Sequence, residues 1–330
     1  MKITSRRDIL KIAAAGSAVS LFGQTAAFAQ GVQFPVKPIS LLVGYPPGGL
    51  TDAGARFAGR GMATALGQPV LIENKPGASG NIAAAEVQRM SDPYRLLVAN
   101  TSFTINPHTY ATPSPVPTDF APIGLILESQ LVLCVNPAAP VKNLGEFVAW
   151  VKAESAKGFS YASSGSGGNT HLAMEYFRER MALPAMSQVP YRGSAPAIQD
   201  VVGNQVPCMM DAASLLIPFI ASGKLRPIFV TGNARLPALP DVPTATELGV
   251  KDFVVTVFVG LWGAPKLPAS TVAQLNAALN AALSDPAVAS QITKNGDVVG
   301  GGSPERLGAL TRENYKLWGE VARRNNIRAE

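Results

Sequence analysis

The strongest constraint on this chain is a rhythm: short apolar, β-prone runs alternate with alanine-rich stretches of helical periodicity, joined by turns rich in glycine. Ile39–Val43 reads as a strand, 52–66 as a helix, 69–73 as a strand, 82–90 as a helix and 95–99 as a strand. Such alternation predicts a parallel sheet with helices on both faces, because parallel neighbours need a crossover between them. A long extended run at 123–135 is long enough to pass from one half of the molecule to another. Helices follow at 144–156, 172–181, 197–202 and 215–221, between strands at 159–162, 187–190, 206–210 and 227–231. After a proline-rich loop at 236–243, a second long extended stretch, 253–262, reads as the return crossing. Helices at 270–283, 286–295 and 304–325 finish the chain, with Pro268, Pro286 and Pro304 suited to their starts. No internal repeat interrupts this pattern.

The N-terminal residues speak to destination rather than fold. A paired arginine in Ser5-Arg6-Arg7-Asp8-Ile9-Leu10-Lys11 precedes an apolar stretch at 12–22, and Ala27-Phe28-Ala29 offers small residues before Gln30. Residues 1–29 therefore read as a removable export signal of the twin-arginine type, with the general secretory route as the alternative and the periplasm as the destination of both. A core helix here would set Arg6, Arg7 and Lys11 beside a buried face. The signal carries Lys2, Arg6, Arg7 and Lys11 against Asp8, so it supplies +3 of the chain's formal +6 and leaves the remainder at about +3. A nearly balanced surface without a basic run gives nucleic-acid binding no support. Charged residues are 15% of the chain, below the usual ~25%, which fits large buried faces. The 330 residues exceed one ordinary core and predict two domains. No later apolar run reaches the ~20 residues of a membrane helix. Cys134 and Cys208 lie in apolar stretches and read as two buried thiols, although an oxidising compartment would allow them to pair.

Function is carried by four turns that each lead from a strand into a helix: Tyr45-Pro-Pro-Gly-Gly-Leu-Thr-Asp52, Lys75-Pro-Gly-Ala-Ser-Gly-Asn81, Ser163-Ser-Gly-Ser-Gly-Gly-Asn-Thr170 and Tyr191-Arg-Gly-Ser-Ala-Pro196. Glycine lets backbone approach a ligand, and the first turn of a helix has N–H groups without intrahelical partners and a dipole that favours negative charge. In open α/β sheets such turns gather at the carboxyl ends of the strands. Several amide-lined loops facing one cleft would hold a carboxylate without an arginine clamp. Taken singly, each is also an ordinary tight turn, and Thr51, Asp52 and Thr170 are ordinary helix-capping residues.

Catalytic readings find no footing. Gly165-Ser-Gly-Gly-Asn-Thr170 has Thr170 where a dinucleotide fingerprint needs its third glycine, and no P-loop lysine follows any glycine turn. Ser166 lacks the glycine two residues earlier that a nucleophile elbow requires. The two histidines, His108 and His171, are far apart and no metal-ligand spacing exists. The chain is read as having no catalytic residue, no metal and no cofactor.

With those turns in hand, the chain resembles the Bug family, the extracytoplasmic solute receptors of tripartite tricarboxylate transporters. The marks are Tyr45-Pro-Pro-Gly-Gly-Leu-Thr-Asp52, Ile72-Glu-Asn-Lys-Pro-Gly-Ala-Ser-Gly-Asn-Ile82, Val189-Pro-Tyr-Arg-Gly-Ser-Ala-Pro196 and Leu239-Pro-Asp-Val-Pro-Thr244, in that order across nearly all of the chain after the signal. The resemblance implies an α/β, two-lobed type II periplasmic-binding-protein fold with a hinge of two crossing segments. Lobe one would comprise 30–125 and 255–330, and lobe two 126–254. It implies a carboxylate cradle at Tyr45, Pro46, Gly48, Gly49, Thr51 and Asp52, continuing at Gly80 and Asn81, and in the second lobe at Ser163, Ser164, Gly165, Ser166 and Gly168; Ser102 and Phe103, further candidate ligand contacts, replace the family's usual small polar pair. Asp211, placed after the strand at 206–210, would be the acidic residue at the cleft. Phe103 has two readings, as a pocket wall for an apolar ligand body or as core. Ser91-Asp-Pro-Tyr94 and Cys208-Met-Met210 depart from the family's usual turn and strand. The implied partners are a small carboxylate ligand and membrane permease subunits, and the implied protein is a monomeric binding protein rather than an enzyme. A receptor that delivers its ligand to a signalling protein is the alternative, and an exported enzyme a weaker one.

Overall fold

A computed structural model describes residues 34–294 and 296–329 of the chain. The export signal read at 1–29 lies outside the described residues, as does Asn295, the last residue of the helix expected at 286–295. From Lys37 onward the chain forms one compact unit.

The first third builds the expected unit. Strands β1 (Ile39–Val43), β2 (Val70–Asn74) and β3 (Arg95–Asn100) are joined by helices α1 (Leu50–Leu66) and α2 (Asn81–Met90). β1 lies parallel to both others, in the middle. Its side chains are buried almost throughout, as a strand covered on both faces requires. Helix α3 (Ser102–Thr109) leaves the end of β3, and a strand of 15 residues, β4 (Ala121–Val135), follows.

β4 is the long crossing. Its first part, from Ala121 to Gln130, pairs with β9 (Thr256–Gly263), and its last part, Leu131 to Val135, pairs with β7 (Cys208–Ala212) and β8 (Arg226–Val230). Between β4 and β7 run α4 (Leu144–Glu154), β5 (Ser160–Ser163), α5 (Asn169–Arg180), β6 (Ser187–Pro190) and α6 (Ser194–Val202). Helix α7 (Ala213–Ala221) leads from β7 to β8, and α8 (Ala269–Ser284), α9 (Pro286–Lys294), β10 (Val298–Val299) and α10 (Pro304–Arg324) complete the order. The strands lie in the sequence β2-β1-β3-β9-β4-β7-β5-β6, with β8 and β10 also on β4.

The parallel pairing expected from the alternation holds for β1, β2 and β3, while at the crossings β9 runs antiparallel to β3 and to β4, and β4 antiparallel to β7 and β8. The reason is topological, since a chain that crosses from one half to the other and returns must lay strands of opposite direction side by side. The return passes Thr231, whose N–H donates to Leu131 O and whose O accepts the Val255 N–H. Thr231 Oγ1 also accepts the Leu131 N–H at 2.9 Å, so the two crossings are stitched together where they meet.

Each half has its own core. Leu42, Leu97, Phe103, Phe120, Phe258 and Trp262 cluster in one, and Val132, Ala162, Ile198, Met209 and Leu216 in the other. Cys134 and Cys208 are free, buried thiols, and burial raises the pKa of both. Among the described residues no helix is long and apolar enough to cross a membrane.

Candidate functional site

The helix starts carry the chemistry. The residue before the first turn is Gly49 for α1, Gly80 for α2, Gly168 for α5 and Gly193 for α6, and none of the four helices has a side-chain cap there. α4 shows the contrast: Asn143 Oδ1 accepts the Glu146 N–H and closes that end. A glycine cannot cap with a side chain, so first-turn N–H groups stay available to another acceptor. The helices begin one to three residues earlier than periodicity alone marked, because that first turn lies inside the glycine-rich segment.

Two of these ends face each other. A cleft, part of it open to solvent, is walled on one side by Tyr45, Pro46, Gly49, Leu50 and Thr51. On the other side stand Ser164 and Asn169, then Arg192, Gly193, Ser194 and Ala195 at the start of α6, with Asp211 at the end of β7. The first turns of α1 and α6 thus border one and the same cleft.

The α1 wall is held by a closed set of hydrogen bonds. Tyr45 Oη donates to Ser79 O at 2.9 Å, and burial pushes its pKa up. Asn100 Nδ2 donates to Thr51 Oγ1 at 2.9 Å, and Asn100 Oδ1 accepts the Ser102 N–H at 2.8 Å. Asn74 Nδ2 donates to Tyr45 O at 3.0 Å and to Asp52 Oδ1 at 2.9 Å. Asp52 Oδ2 accepts the Gly48 N–H at 3.0 Å and Arg56 Nε at 2.9 Å. Burial works against ionising Asp52, but Arg56, the Gly48 amide and Asn74 outweigh it and hold its carboxyl below the usual range. Gly48 has φ +90°, a left-handed geometry that glycine tolerates and that turns its N–H toward Asp52.

The expected site residues are thus distributed unevenly. Tyr45, Pro46, Gly49, Thr51, Ser164 and Asp211 line the cleft. Tyr45, Pro46 and Ser164 also line an adjoining outer chamber together with Gly165 and Ser166. Gly48 lies on a neighbouring hollow with Ser194 and Ala195. Asp52 braces the loop and does not line the cleft. Gly80 packs beneath the Tyr45 ring, and Asn81 is engaged with Asn106 and Ser114. Ser163 accepts from Gln188 Nε2 at 2.6 Å and stands behind the wall. Ser102 Oγ donates to Asn169 Oδ1 at 3.0 Å and accepts the Asn169 N–H at 3.0 Å, so it ties β3's end to the α5 start. Gly168 sits against that same hydroxyl. Phe103, given two readings above, is core: its ring meets Phe120 and Trp262 edge-on at 5.1 and 5.4 Å.

Asp211 needs a correction of position. The strand expected to end at 210 runs from Cys208 to Ala212, which puts Asp211 inside β7 rather than after it. Its side chain is buried, Oδ1 accepts the Ala212 N–H at 2.7 Å, and Oδ2 has no hydrogen-bond partner. Burial pushes its carboxyl up to about 6, against the Ser194 hydroxyl and the Ala212 amide, which pull it down.

Asn100, Asn169, Ser194 and Ala195 line the cleft without having been singled out by sequence. Ser194 and Ala195 lie within the quoted glycine turn, so the signal was present. Asn169 likewise lies within a quoted glycine turn, whereas Asn100 carries no local signal beyond standing at a strand end. Arg192 has no hydrogen bond or ion pair to another described residue and lines the cleft. His171 accepts the Gly167 N–H through Nδ1, and burial lowers its pKa against the pull of Glu175, a structural role. Among the described residues no cluster of His, Cys, Asp and Glu is arranged to hold a metal ion.

Comparison with known proteins sets this geometry beside relatives. Residues 55–327 match the tripartite tricarboxylate transporter family receptor. BugT of Bordetella pertussis is 30% identical over 312 residues, covering 92% of this chain and 95% of its own. The periplasmic binding protein BugD superposes with a TM-score of 0.83 at 32% identity, over 90% of this chain and 100% of that one. MatC of Rhodopseudomonas palustris, solved with bound malate, superposes with a TM-score of 0.81 at 31% identity, over 87% and 99%. The fold is the two-lobed type II periplasmic-binding-protein fold of these structures, hinged on two crossing segments.

Proposed function

Because this chain belongs to the tripartite tricarboxylate transporter receptor family and is a solute-binding protein, we propose that it captures a small carboxylate-bearing metabolite in the periplasm for a membrane permease of that transporter class. The observation that carries this reading is the pair of uncapped first turns, α1 and α6, facing one cleft. Each such end favours an anion by ~0.3–1 kcal/mol through its dipole, and each hydrogen bond to a charged group adds about 1.5–3 kcal/mol. A carboxylate between them draws on both halves at once, so the closed arrangement gains contacts that an open one lacks. Malate in MatC is a ligand of the same chemistry, held by a protein of the same fold.

The proposal assigns the cradle to Tyr45, Pro46, Gly49, Thr51 and Ser164, with Arg192, Ser194 and Ala195 opposite. Gly48, Asp52, Gly80, Asn81, Ser102, Ser163 and Gly168 hold those residues in place, and Gly165 and Ser166 bound the outer chamber. Lobes at 30–125 with 255–330 and at 126–254, with the hinge where Leu131, Thr231 and Val255 meet, belong to the same proposal, as does export by the signal at 1–29. That the family and its structural neighbours are solute receptors supports binding without turnover.

A thermal-shift screen of the mature chain over a panel of mono-, di- and tricarboxylic acids tests the reading. An acid at about 100 times its Kd adds ~2.7 kcal/mol and raises Tm by about 5 °C or more, with the acid recovered unchanged. A chain stabilised by no acid in the panel sinks the proposal. Gly48→Pro removes the N–H that Asp52 accepts and forbids the local φ, and Gly165→Val crowds Ser79 Oγ; both abolish binding. Affinity unchanged in the two variants means that these loops do not form the site.

A further inference from the structure

The carboxylate reading leaves one group unexplained. A cleft built to receive an anion carries in its own wall an acidic side chain, Asp211, 3% exposed, with one oxygen unpartnered. Asp52, by comparison, has both oxygens occupied. The Ala212 amide and the Ser194 hydroxyl offset the burial of this carboxyl only in part, so beside a bound carboxylate it is repulsive unless a ligand group donates to Oδ2.

Its place narrows what that donor can be. Asp211 is flanked by Ser194, the first residue of α6, the helix whose open end faces the ligand carboxylate. A donor reaching Asp211 Oδ2 from a carboxylate held at α6 has to sit close to that carboxylate. A hydroxyl or an ammonium on the adjacent carbon has that reach; one at the far end of a ligand does not. Resting on the reading of the cleft as a carboxylate site, we propose that Asp211 selects acids bearing a hydrogen-bond donor next to the bound carboxylate, 2-hydroxy or 2-amino acids, over their unsubstituted counterparts. A site with a buried acceptor discriminates because the analogue without the donor leaves that acceptor unpaired.

The charged and titratable surroundings separate the two donors. Within the cleft wall only Tyr45, Arg192 and Asp211 titrate or carry charge, and behind Asp211 on β4 lies the buried thiol of Cys134. The phenol and the thiol both have raised pKa values and stay neutral, and Arg192 keeps its charge. Asp211 alone changes charge near pH 6. An ammonium needs the ionised carboxylate, so its binding tightens as pH rises through that value. A hydroxyl is accepted by either form, and ionisation then only adds repulsion toward the ligand carboxylate, so its binding does not tighten.

The test is calorimetric titration of the mature chain with matched acids: succinate, malate and aspartate, then glutarate, 2-hydroxyglutarate and glutamate, then propionate, lactate and alanine. The expected result is a donor-bearing acid binding at least about tenfold tighter than its unsubstituted partner. D211A brings that ratio within about threefold, and D211N, which keeps the shape, does the same for an ammonium ligand while sparing more of the preference for a hydroxyl. Titration between about pH 5 and 7.5 assigns the donor by the direction above. Circular dichroism of both variants confirms folding. Equal binding of substituted and unsubstituted acids by the natural chain, or a ratio that survives D211A, overturns the assignment and leaves the carboxylate site standing. Binding of none of the acids removes the carboxylate reading itself, and this inference with it.

Discussion

The two walls of the cleft are built on opposite plans. The α1 wall is finished before any ligand arrives: Tyr45, Asn74, Asn100, Thr51 and Asp52 bond one another and the loop backbone. The α6 wall is unfinished, with Arg192 unpartnered, Asp211 holding one free oxygen and the first turn of α6 uncapped. A preorganised surface loses little on binding, and a surface with unmet polar groups gains most from the right ligand. The contrast teaches that rigidity and selectivity are divided between the two halves, the first presenting fixed amides and the second supplying groups that wait for a partner.

Three substitutions break or sharpen that contrast. Asp52→Ala strikes the finished wall and has the largest effect, about 3 kcal/mol of destabilisation, because the Gly48 N–H, Asn74 and Arg56 lose a shared acceptor. Urea denaturation measures it; a loss under about 1 kcal/mol would mean the wall does not depend on this carboxylate. Since the folded pKa of Asp52 lies below its unfolded value, its contribution is present above about pH 4 and fades as pH falls through the folded value.

Asp211→Asn acts on the unfinished wall with the opposite sign. Burial pushes the natural carboxyl up to about 6 in the fold, above its ordinary value of 3.8, so ionisation costs the folded state about 1–3 kcal/mol above pH 6 and nothing where both states are protonated, below about pH 4. The ligand-free variant therefore melts higher than the natural chain at pH 7.5 and equally at pH 3.5, as scanning calorimetry at the two pH values reports. A lower Tm at neutral pH would show that Asp211 is already satisfied without ligand.

Arg192→Gln is the smallest in stability, under about 0.5 kcal/mol, since the side chain is exposed and unpaired. It nevertheless weakens acid binding about three- to tenfold and flattens its salt dependence, because it removes the one cationic side chain in the cleft wall. Equal affinity at low salt would place Arg192 outside the site.

Much of this architecture was legible beforehand. Hydrophobic periodicity located nearly every strand and helix, since buried faces must repeat at 2 or 3.6 residues whatever the tertiary context. Helix α3 escaped because Ser102–Thr109 contains Pro107 and has no apolar stripe; it is buried nearly all round. The antiparallel crossings escaped because strand direction depends on where the chain returns. In the site, the glycine turns pointed to the right loops but not to the right residues within them. Gly80, Asn81, Ser163 and Phe103 stand in or beside those segments yet face neighbours other than the cleft.

By itself the amino-acid sequence determined most of the strands and helices, that four glycine-rich turns lead into helices, and which family the chain resembles, because these follow from local residue chemistry and spacing. Tertiary structure alone decided that α1 and α6 are the helix ends that meet. It also decided that Asp52 is shared among three donors while Asp211 keeps a free oxygen, and that Asn100 and Asn169 reach the same cleft. Those outcomes depend on residues tens to more than a hundred positions apart being brought within a few ångströms, and spacing along a chain carries no distance in space.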